Sequence, residues 1–88
     1  MPRTPLNSTS LQAAAYQDQL ALLELEFSSG AVYHYFGVSP STYQELLCAE
    51  SKGGFFNRHI RNHFAYAKIH AARPTRSHHS GAIGTTEQ

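Results

Sequence analysis

The sequence predicts an α+β fold, in which a three-stranded antiparallel meander is followed by two short helices packed on one face of the sheet. Two observations carry this prediction. Apolar and polar residues alternate over residues 23–27, a pattern typical of a strand that has one solvent-facing side, and a short glycine loop and an aromatic, β-branched segment follow. From Pro40 onward, apolar residues instead recur at helical spacing, and Gly53 and Gly54 divide this part into two helices.

The strands are expected at residues 11–16, 20–27 and 31–36. In the second strand, leucines and Phe27 alternate with Glu24 and Glu26, so one face is apolar and the other is charged. Residues 28–30 form a three-residue hairpin loop, in which Gly30 suits the left-handed position that such loops require. The third strand is rich in aromatic and β-branched residues, which favour strands.

The length of this loop decides which way two tyrosines point. A three-residue loop pairs Leu25 with Tyr33 and Leu23 with Tyr35, and directly opposed residues share a face of the sheet. Both tyrosines then join the leucines. A two-residue turn would shift the register by one and place both tyrosines on the glutamate side. We prefer the first register because it sets His34 beside Glu24 rather than against Leu25.

The helical half begins at Ser39, which can cap a helix that has Pro40 at its first position. Its inward stripe is predicted to be Tyr43, Leu46 and Leu47. A second helix, over about residues 54–63, presents Phe56, Ile60 and Phe64 inward. Residues 64–69 alternate weakly, and both a short strand and an extended tail fit them.

The remaining segments and the single cysteine limit the class of protein to which the chain can belong. Residues 1–9 and 70–88 hold few apolar residues and are predicted to be disordered tails, which leaves residues 10–69 as the domain. The single cysteine, Cys48, excludes an internal disulfide, fits a reducing compartment, and is expected to be a small buried hydrophobe. No apolar run is long enough to span a membrane. We therefore expect a cytoplasmic protein that has no membrane partner.

Charge is divided unevenly along the chain. Residues 1–50 carry a net charge of −4, whereas residues 51–76 carry six cations and no acid. This asymmetry favours an anionic partner. The alternative is that the two oppositely charged halves simply attract each other.

In order and spacing, several fragments resemble the KTSC domain family, a small module that stands alone in bacterial proteins and is also found at the C-terminus of some lysyl-tRNA synthetases. Tyr33 and Tyr35 match the Y-x-Y of the family, and "SKG", "FFN" and "IR" within residues 51–61 match its closing segment. In the family a valine directly precedes the proline that follows the tyrosines, whereas here Ser39 separates Val38 from Pro40. The family has no established activity; the synthetase association implies RNA binding, which is an analogy of context.

Tyr33 and Tyr35 are the first candidate site residues. Aromatic rings on a sheet can hold unstacked bases. Alternatively, both rings are core beneath the helices, and the preferred register favours this second interpretation.

A basic cluster is the second candidate, and its members are Lys52, Asn57, Arg58 and Arg61. Arg58 and Arg61 lie three apart and are neighbours on a helix, so they could hold phosphates or carboxylates together with Lys52. The alternative is a solvated helix face on which Asn57 hydrogen-bonds locally.

The sequence gives little support for a metal site, a catalytic cysteine or a nucleotide-binding motif. His59 and His63 lie four apart, but no nearby Cys, Asp or Glu completes a metal site. No base is placed to activate Cys48, and no nucleotide-binding or paired-carboxylate motif occurs. We therefore predict no enzyme, no metal and no cofactor.

Two hypotheses about function remain. The first is an RNA-binding module, for tRNA or single-stranded RNA, that uses the basic cluster near the tyrosines. The second is a protein-interaction or self-assembly module that uses an exposed sheet edge or an apolar outer face. The residues predicted on that outer face are Leu20, Leu22, Val32 and Phe36.

Overall fold

The computed structural model describes residues 3–71, and these form a five-stranded antiparallel sheet with two helices. The strands lie in the sheet in chain order, each paired with the next. They are β1 (Thr4–Pro5), β2 (Leu11–Gln17), β3 (Leu22–Phe27), β4 (Val32–Phe36) and β5 (Ala65–His70). The α+β class is as predicted, but the sheet has five strands rather than three.

The two additional strands lie at the two edges of the sheet. Thr4 and Pro5 pair with Ala14 and Ala13, and Leu6 is buried in the core. This segment therefore differs from the disordered tail predicted for residues 1–9, since one buried leucine and a short pairing are enough to place it. β5 resolves the ambiguity of residues 64–69 in favour of a strand, and it extends to His70. The predicted tail beyond residue 71, including Arg73 and Arg76, lies outside the described residues.

The central hairpin has the preferred register. Leu25 pairs with Tyr33 and Leu23 with Tyr35, while Glu24 lies opposite His34. Gly30 has a φ of 98°, the left-handed conformation expected of it, and its N–H donates to the carbonyl of Phe27 at 2.8 Å. The register prediction is confirmed, and both tyrosines share a face with the leucines.

Helix α1 (Pro40–Cys48) begins as predicted, with the Ser39 hydroxyl accepting a hydrogen bond from the N–H of Thr42. Helix α2 begins two residues earlier than predicted, at Lys52, and its α-helical part is Lys52–Phe55. It continues as a π-helix over Phe56–Ile60, in which the N–H of Arg61 reaches the carbonyl of Phe56. The second helix thus ends at Ile60 rather than near His63.

The core lies between the helices and one face of the sheet. Its members are Leu6, Leu11, Ala14, Leu23, Leu25, Tyr35, Val38, Leu46, Phe55, Phe56 and Ile60. The inward stripes of both helices were predicted correctly: Leu46, Phe56 and Ile60 are buried, and the other predicted members pack against this cluster.

Two burial predictions are wrong. Leu22 and Val32, predicted to be exposed on the outer face, are buried because longer side chains flank each of them across the sheet. These neighbours are Gln17 and Phe36 beside Leu22, and Glu26 and His70 beside Val32. Leu20 and Phe36 are exposed as expected. Cys48 is exposed rather than buried. It follows the fully buried Leu46 by two positions, which turns its side chain by about 200° around α1 and away from the core.

One hydrogen bond fixes the start of α1 to the sheet. The Tyr16 hydroxyl donates to the carbonyl of Val38 at 2.6 Å, while the Tyr16 ring stacks on Tyr43 with centroids 4.9 Å apart. We expect Tyr16→Phe to lower the free energy of unfolding by about 1 kcal/mol, because the partly buried carbonyl loses its donor. Tyr43→Phe is the control, since the Tyr43 hydroxyl makes no hydrogen bond within residues 3–71. Urea denaturation followed by circular dichroism measures both, and equal effects would contradict the assignment.

Candidate nucleic-acid interface

A cleft of about 600 Å³ lies where the helical layer ends and the sheet continues. Tyr35 pairs with Tyr66 and Tyr33 with Lys68, so these β5 side chains share the face that carries the core. The helices cover this face at β4 but not at β5: Tyr35 is 5 % exposed, whereas Tyr66 is 60 % exposed. The cleft lies at the boundary between the covered strand β4 and the uncovered strand β5.

Aromatic rings form the floor of the cleft. Tyr33 lies 6.2 Å from Tyr35 and 5.8 Å from Tyr66 between ring centroids, and Tyr35 lies 6.0 Å from Tyr66. Phe56 meets Tyr35 edge-on at 5.7 Å, and Phe27 meets Tyr33 in the same way at 5.6 Å. These contacts stabilise the rings against one another. The floor is therefore held in place, with Tyr66 as its exposed member.

Two cations border this floor. Arg61 and Lys68 both line the cleft, and the Lys68 ammonium lies 5.8 Å from the centroid of the Tyr33 ring. Neither side chain makes a hydrogen bond or an ion pair within residues 3–71. Glu45 and Glu50 neutralise neither of them by direct contact. The cleft thus offers positive charge beside aromatic faces.

The π-helix and the turn that follows it supply the polar wall of the cleft. Asn57 lies within the π-helix, whereas Arg61 caps its C-terminal end and Asn62 follows directly. All three line the cleft. Asn62 has a φ of 66°, a left-handed conformation that asparagine tolerates better than most residues, and it turns the chain toward β5. The amides of Asn57 and Asn62 make no side-chain hydrogen bond to the described residues.

Tyr35 is the most buried of the residues with a polar side chain that line the cleft. Burial raises the pKa of Tyr35 to about 12, and the neighbouring Tyr33 and Tyr66 act in the same direction while the charge of Arg61 opposes them. The Tyr35 hydroxyl is therefore un-ionised at neutral pH and can both donate and accept. It has no hydrogen-bond partner in the part of the chain that the structure describes.

Four of the six residues predicted from the sequence line this cleft: Tyr33, Tyr35, Asn57 and Arg61. Lys52 does not. Its ammonium donates to the carbonyl of Ala49 at 2.9 Å, and the residue lines an adjoining crevice of about 400 Å³ between residues 7–10 and the start of α2. Arg58 lies back along α2, with its Nη1 3.2 Å from where a Cβ on Gly54 would stand.

The profile of the KTSC domain matches residues 7–64, about two thirds of the chain. The chain belongs to the KTSC family. The match contains the Y-x-Y tyrosines, the glycines of α2 and the π-helix, and it ends one residue before β5. Tyr66 and Lys68 of this KTSC domain therefore lie outside the matched range.

Individual relatives agree with this assignment. An uncharacterized protein of Stutzerimonas stutzeri is 43 % identical over 70 residues, which cover 78 % of this chain and 99 % of that protein. The crystal structure of a KTSC domain protein from Yersinia pestis superposes with a TM-score of 0.75 at 32 % identity, covering 77 % of this chain and 96 % of the other. A lysine–tRNA ligase of Nostoc punctiforme is 40 % identical over 55 residues, 62 % of this chain but only 10 % of the ligase.

The opposite face of this KTSC domain holds an ion-pair network. The Arg3 guanidinium contacts Glu24 at 2.5 Å and Glu26 at 3.0 Å, and Nε2 of His34 lies 2.9 Å from Oε1 of Glu24. Burial disfavours the charged form of Glu24, but the hydrogen bonds from His34 and Arg3 outweigh it and lower the pKa of the carboxyl. Glu24 and Glu26 are thus paired here, away from the cleft, rather than with the cations of residues 52–68.

Sequence reasoning missed Asn62, Tyr66 and Lys68. The signal was present: Tyr66 and Lys68 are two apart, as are Tyr33 and Tyr35, which is the spacing of side chains on one face of a strand. It could be used only if residues 64–69 were assigned as a strand. Asn62 gave no such signal, because its role follows from a π-helix that no pattern in the sequence indicates.

The structure adds two observations on other kinds of site. Within residues 3–71, no three side chains of His, Cys, Asp or Glu come together as metal ligands would, and His59 instead packs against the Phe55 ring at 4.7 Å. No helix in the same range is long and apolar enough to cross a membrane.

Proposed function

We propose that this KTSC domain is a non-enzymatic RNA-binding module that holds unpaired nucleotides of an RNA strand in the cleft. The observation that carries the proposal is the meeting of tyrosine rings with Arg61 and Lys68, two cations without an acidic partner among the described residues. Proteins hold single strands with this combination, because bases stack on aromatic faces while cations contact the phosphates.

The same geometry argues against a cationic ligand. Clustered tyrosines can also form a cage for a quaternary ammonium group, but here Lys68 already lies over the Tyr33 ring and Arg61 borders the same floor. A second positive charge would be repelled, whereas a phosphate would be attracted. A cleft of about 600 Å³ also falls in the size range of small-ligand sites, which suits one or two nucleotides rather than a duplex.

The relatives support an RNA context. The lysine–tRNA ligases of Nostoc punctiforme and Nostoc sp. carry a segment that matches this chain at 40 % and 37 % identity, and by their names those enzymes act on tRNA. The matching segment is 10 % of each ligase, so it is a part whose role we propose to be binding rather than catalysis.

Titration of fluorescently labelled single-stranded RNA and of tRNA, followed by anisotropy, tests the proposal. We expect binding that weakens as salt rises from about 50 to 200 mM, because each neutralised phosphate releases counterions.

Arg61→Ala should weaken binding about tenfold, the effect of removing one charge-assisted hydrogen bond. Arg58→Ala is the matched control, since Arg58 is an exposed arginine three positions earlier in the chain that does not line the cleft. Absence of binding at low salt would refute the proposal.

A second candidate function rests on β5. This six-residue strand ends the sheet, and within residues 3–71 no further strand pairs with its outer edge. Exposed edges of this length can accept a strand from a partner or from a second copy. Light scattering over a concentration series tests self-association, and a constant monomer mass would argue against assembly through this edge.

A further inference from the structure

Tyr35 is a buried residue whose hydroxyl has no hydrogen-bond partner among residues 3–71, which is unusual in a folded protein. The residue is 5 % exposed, and its hydroxyl makes no hydrogen bond within that range. Most buried polar side-chain atoms do have a partner, since an unsatisfied one costs about 1–3 kcal/mol. By contrast, Tyr16 satisfies its hydroxyl with the carbonyl of Val38. The Tyr35 hydroxyl lines the cleft and therefore indicates a ligand that supplies the missing hydrogen bond.

The surroundings of this hydroxyl indicate which part of a ligand it meets. The charges of Arg61 and Lys68 serve a phosphate better than a neutral phenol does. The phenol keeps its proton at neutral pH, since the ordinary pKa of tyrosine, about 10, already lies well above 7, and burial raises the pKa of Tyr35 further, to about 12. A group that can donate or accept one hydrogen bond suits the nitrogen and oxygen atoms on the edge of a base. Asn57 and Asn62 line the same cleft and add amide donors and acceptors.

We infer that the cleft takes one unstacked base of an RNA strand, that the base packs against the exposed ring of Tyr66, and that the Tyr35 hydroxyl hydrogen-bonds to the base edge and selects among the four bases. This inference rests on the proposed RNA-binding function and adds a specificity-determining residue to it. The phosphates contact Arg61 and Lys68 and give affinity without selection, whereas Tyr35 gives selection, since only the base edges differ between nucleotides.

Tyr35→Phe is the test, because it removes the hydroxyl and keeps the ring that packs between Tyr33, Phe56 and Tyr66. The probes are short labelled homopolymers of A, C, G and U. We expect the unmodified domain to prefer one base by about five- to tenfold, the effect of one hydrogen bond to a buried group. The variant should bind the preferred homopolymer weaker by the same factor and treat the four alike. Its salt dependence should not change. Tyr43→Phe removes a hydroxyl outside the cleft and should retain the preference.

The outcomes separate this inference from the proposed function. If the unmodified domain binds none of the homopolymers and no tRNA, both fail. If it binds RNA but Tyr35→Phe keeps the same base preference, the role of Tyr35 is refuted while RNA binding stands. If free mononucleotides bind as tightly as the homopolymers, the ligand is not a strand, and the inference is likewise overturned. Resonances of ¹³C-labelled Tyr35 in the unmodified domain give a second measurement, and they must shift when the preferred homopolymer is added.

Discussion

Reversing both cleft charges, with Arg61→Glu and Lys68→Glu together, is expected to weaken RNA binding by at least about a hundredfold. Each substitution removes a cation that neutralises a phosphate and also places a negative charge beside that phosphate. Both side chains are exposed and make no ion pair within residues 3–71, so the fold should tolerate the change. Because two phosphates of a single strand are then no longer neutralised, the slope of log affinity against log salt should become shallower by about 1.4. Anisotropy titrations at several salt concentrations measure both quantities.

The matched control reverses the two cations that the sequence suggested but that lie outside the cleft, with Lys52→Glu and Arg58→Glu together. It changes the net charge by the same amount, so any effect of overall charge appears equally in both double variants. We expect this control to reduce affinity by only a few-fold through long-range electrostatics. If it weakens binding as much as the cleft pair does, the RNA lies on the outer surface of α2 rather than in the cleft. Circular dichroism of each variant verifies the fold.

Leu25→Ala is expected to remove most of the stability of the domain. Leu25 is 0 % exposed in the central strand, where it belongs to the core cluster beneath the helices. Deleting a fully buried leucine side chain costs about 2–5 kcal/mol, because the transfer free energy is lost and a cavity remains. A domain of this size is stable by only about 5 kcal/mol. The variant should therefore be largely unfolded at physiological temperature, as measured by thermal denaturation and by the disappearance of dispersed amide resonances.

Leu20→Ala provides the control with the same chemistry at an exposed position. Leu20 is 62 % exposed at the end of the short 3-10 turn before β3, so its truncation removes little buried area. We expect a change within about 0.5 kcal/mol, as is usual for surface substitutions. If Leu25→Ala and Leu20→Ala have similar midpoints of unfolding, the leucine face of β3 is not the core.

The fold could be predicted where a local pattern decides the structure. Alternation in β3 and the three-residue loop determine the hairpin register, because a slip by one residue would bury Glu24 and expose Leu25. Ser39 and Pro40 likewise determine the start of α1. The edge strands could not be predicted in this way. Thr4 and Pro5 carry no alternating pattern, and β5 alternates only weakly, so their pairing depends on the neighbouring strand rather than on their own residues.

The sequence located part of the cleft. The sequence suggested a basic cluster near the tyrosine pair, and in the structure Tyr33, Tyr35, Asn57 and Arg61 line one cleft, whereas Lys52 and Arg58 do not. The sequence could not show that Lys52 turns back to the carbonyl of Ala49, since that depends on where α1 ends in space. The question whether Tyr33 and Tyr35 are core or surface also has no single answer. Tyr35 is buried, Tyr33 is half-buried, and both line the cleft.

By itself, the sequence determined which face of the central hairpin and of the two helices packs in the core, because burying leucines and aromatic rings is the dominant favourable contribution in so small a chain. Only the tertiary structure decided where the helical layer stops. Helix α2 continues as a π-helix that ends at Ile60. Asn62 then turns the chain back, so that β5 pairs with β4 and Tyr66 lies beside Tyr35. The sheet consequently extends beyond the helices by one strand, β5. The cleft forms where the helices end, and the tyrosines and the cations meet there.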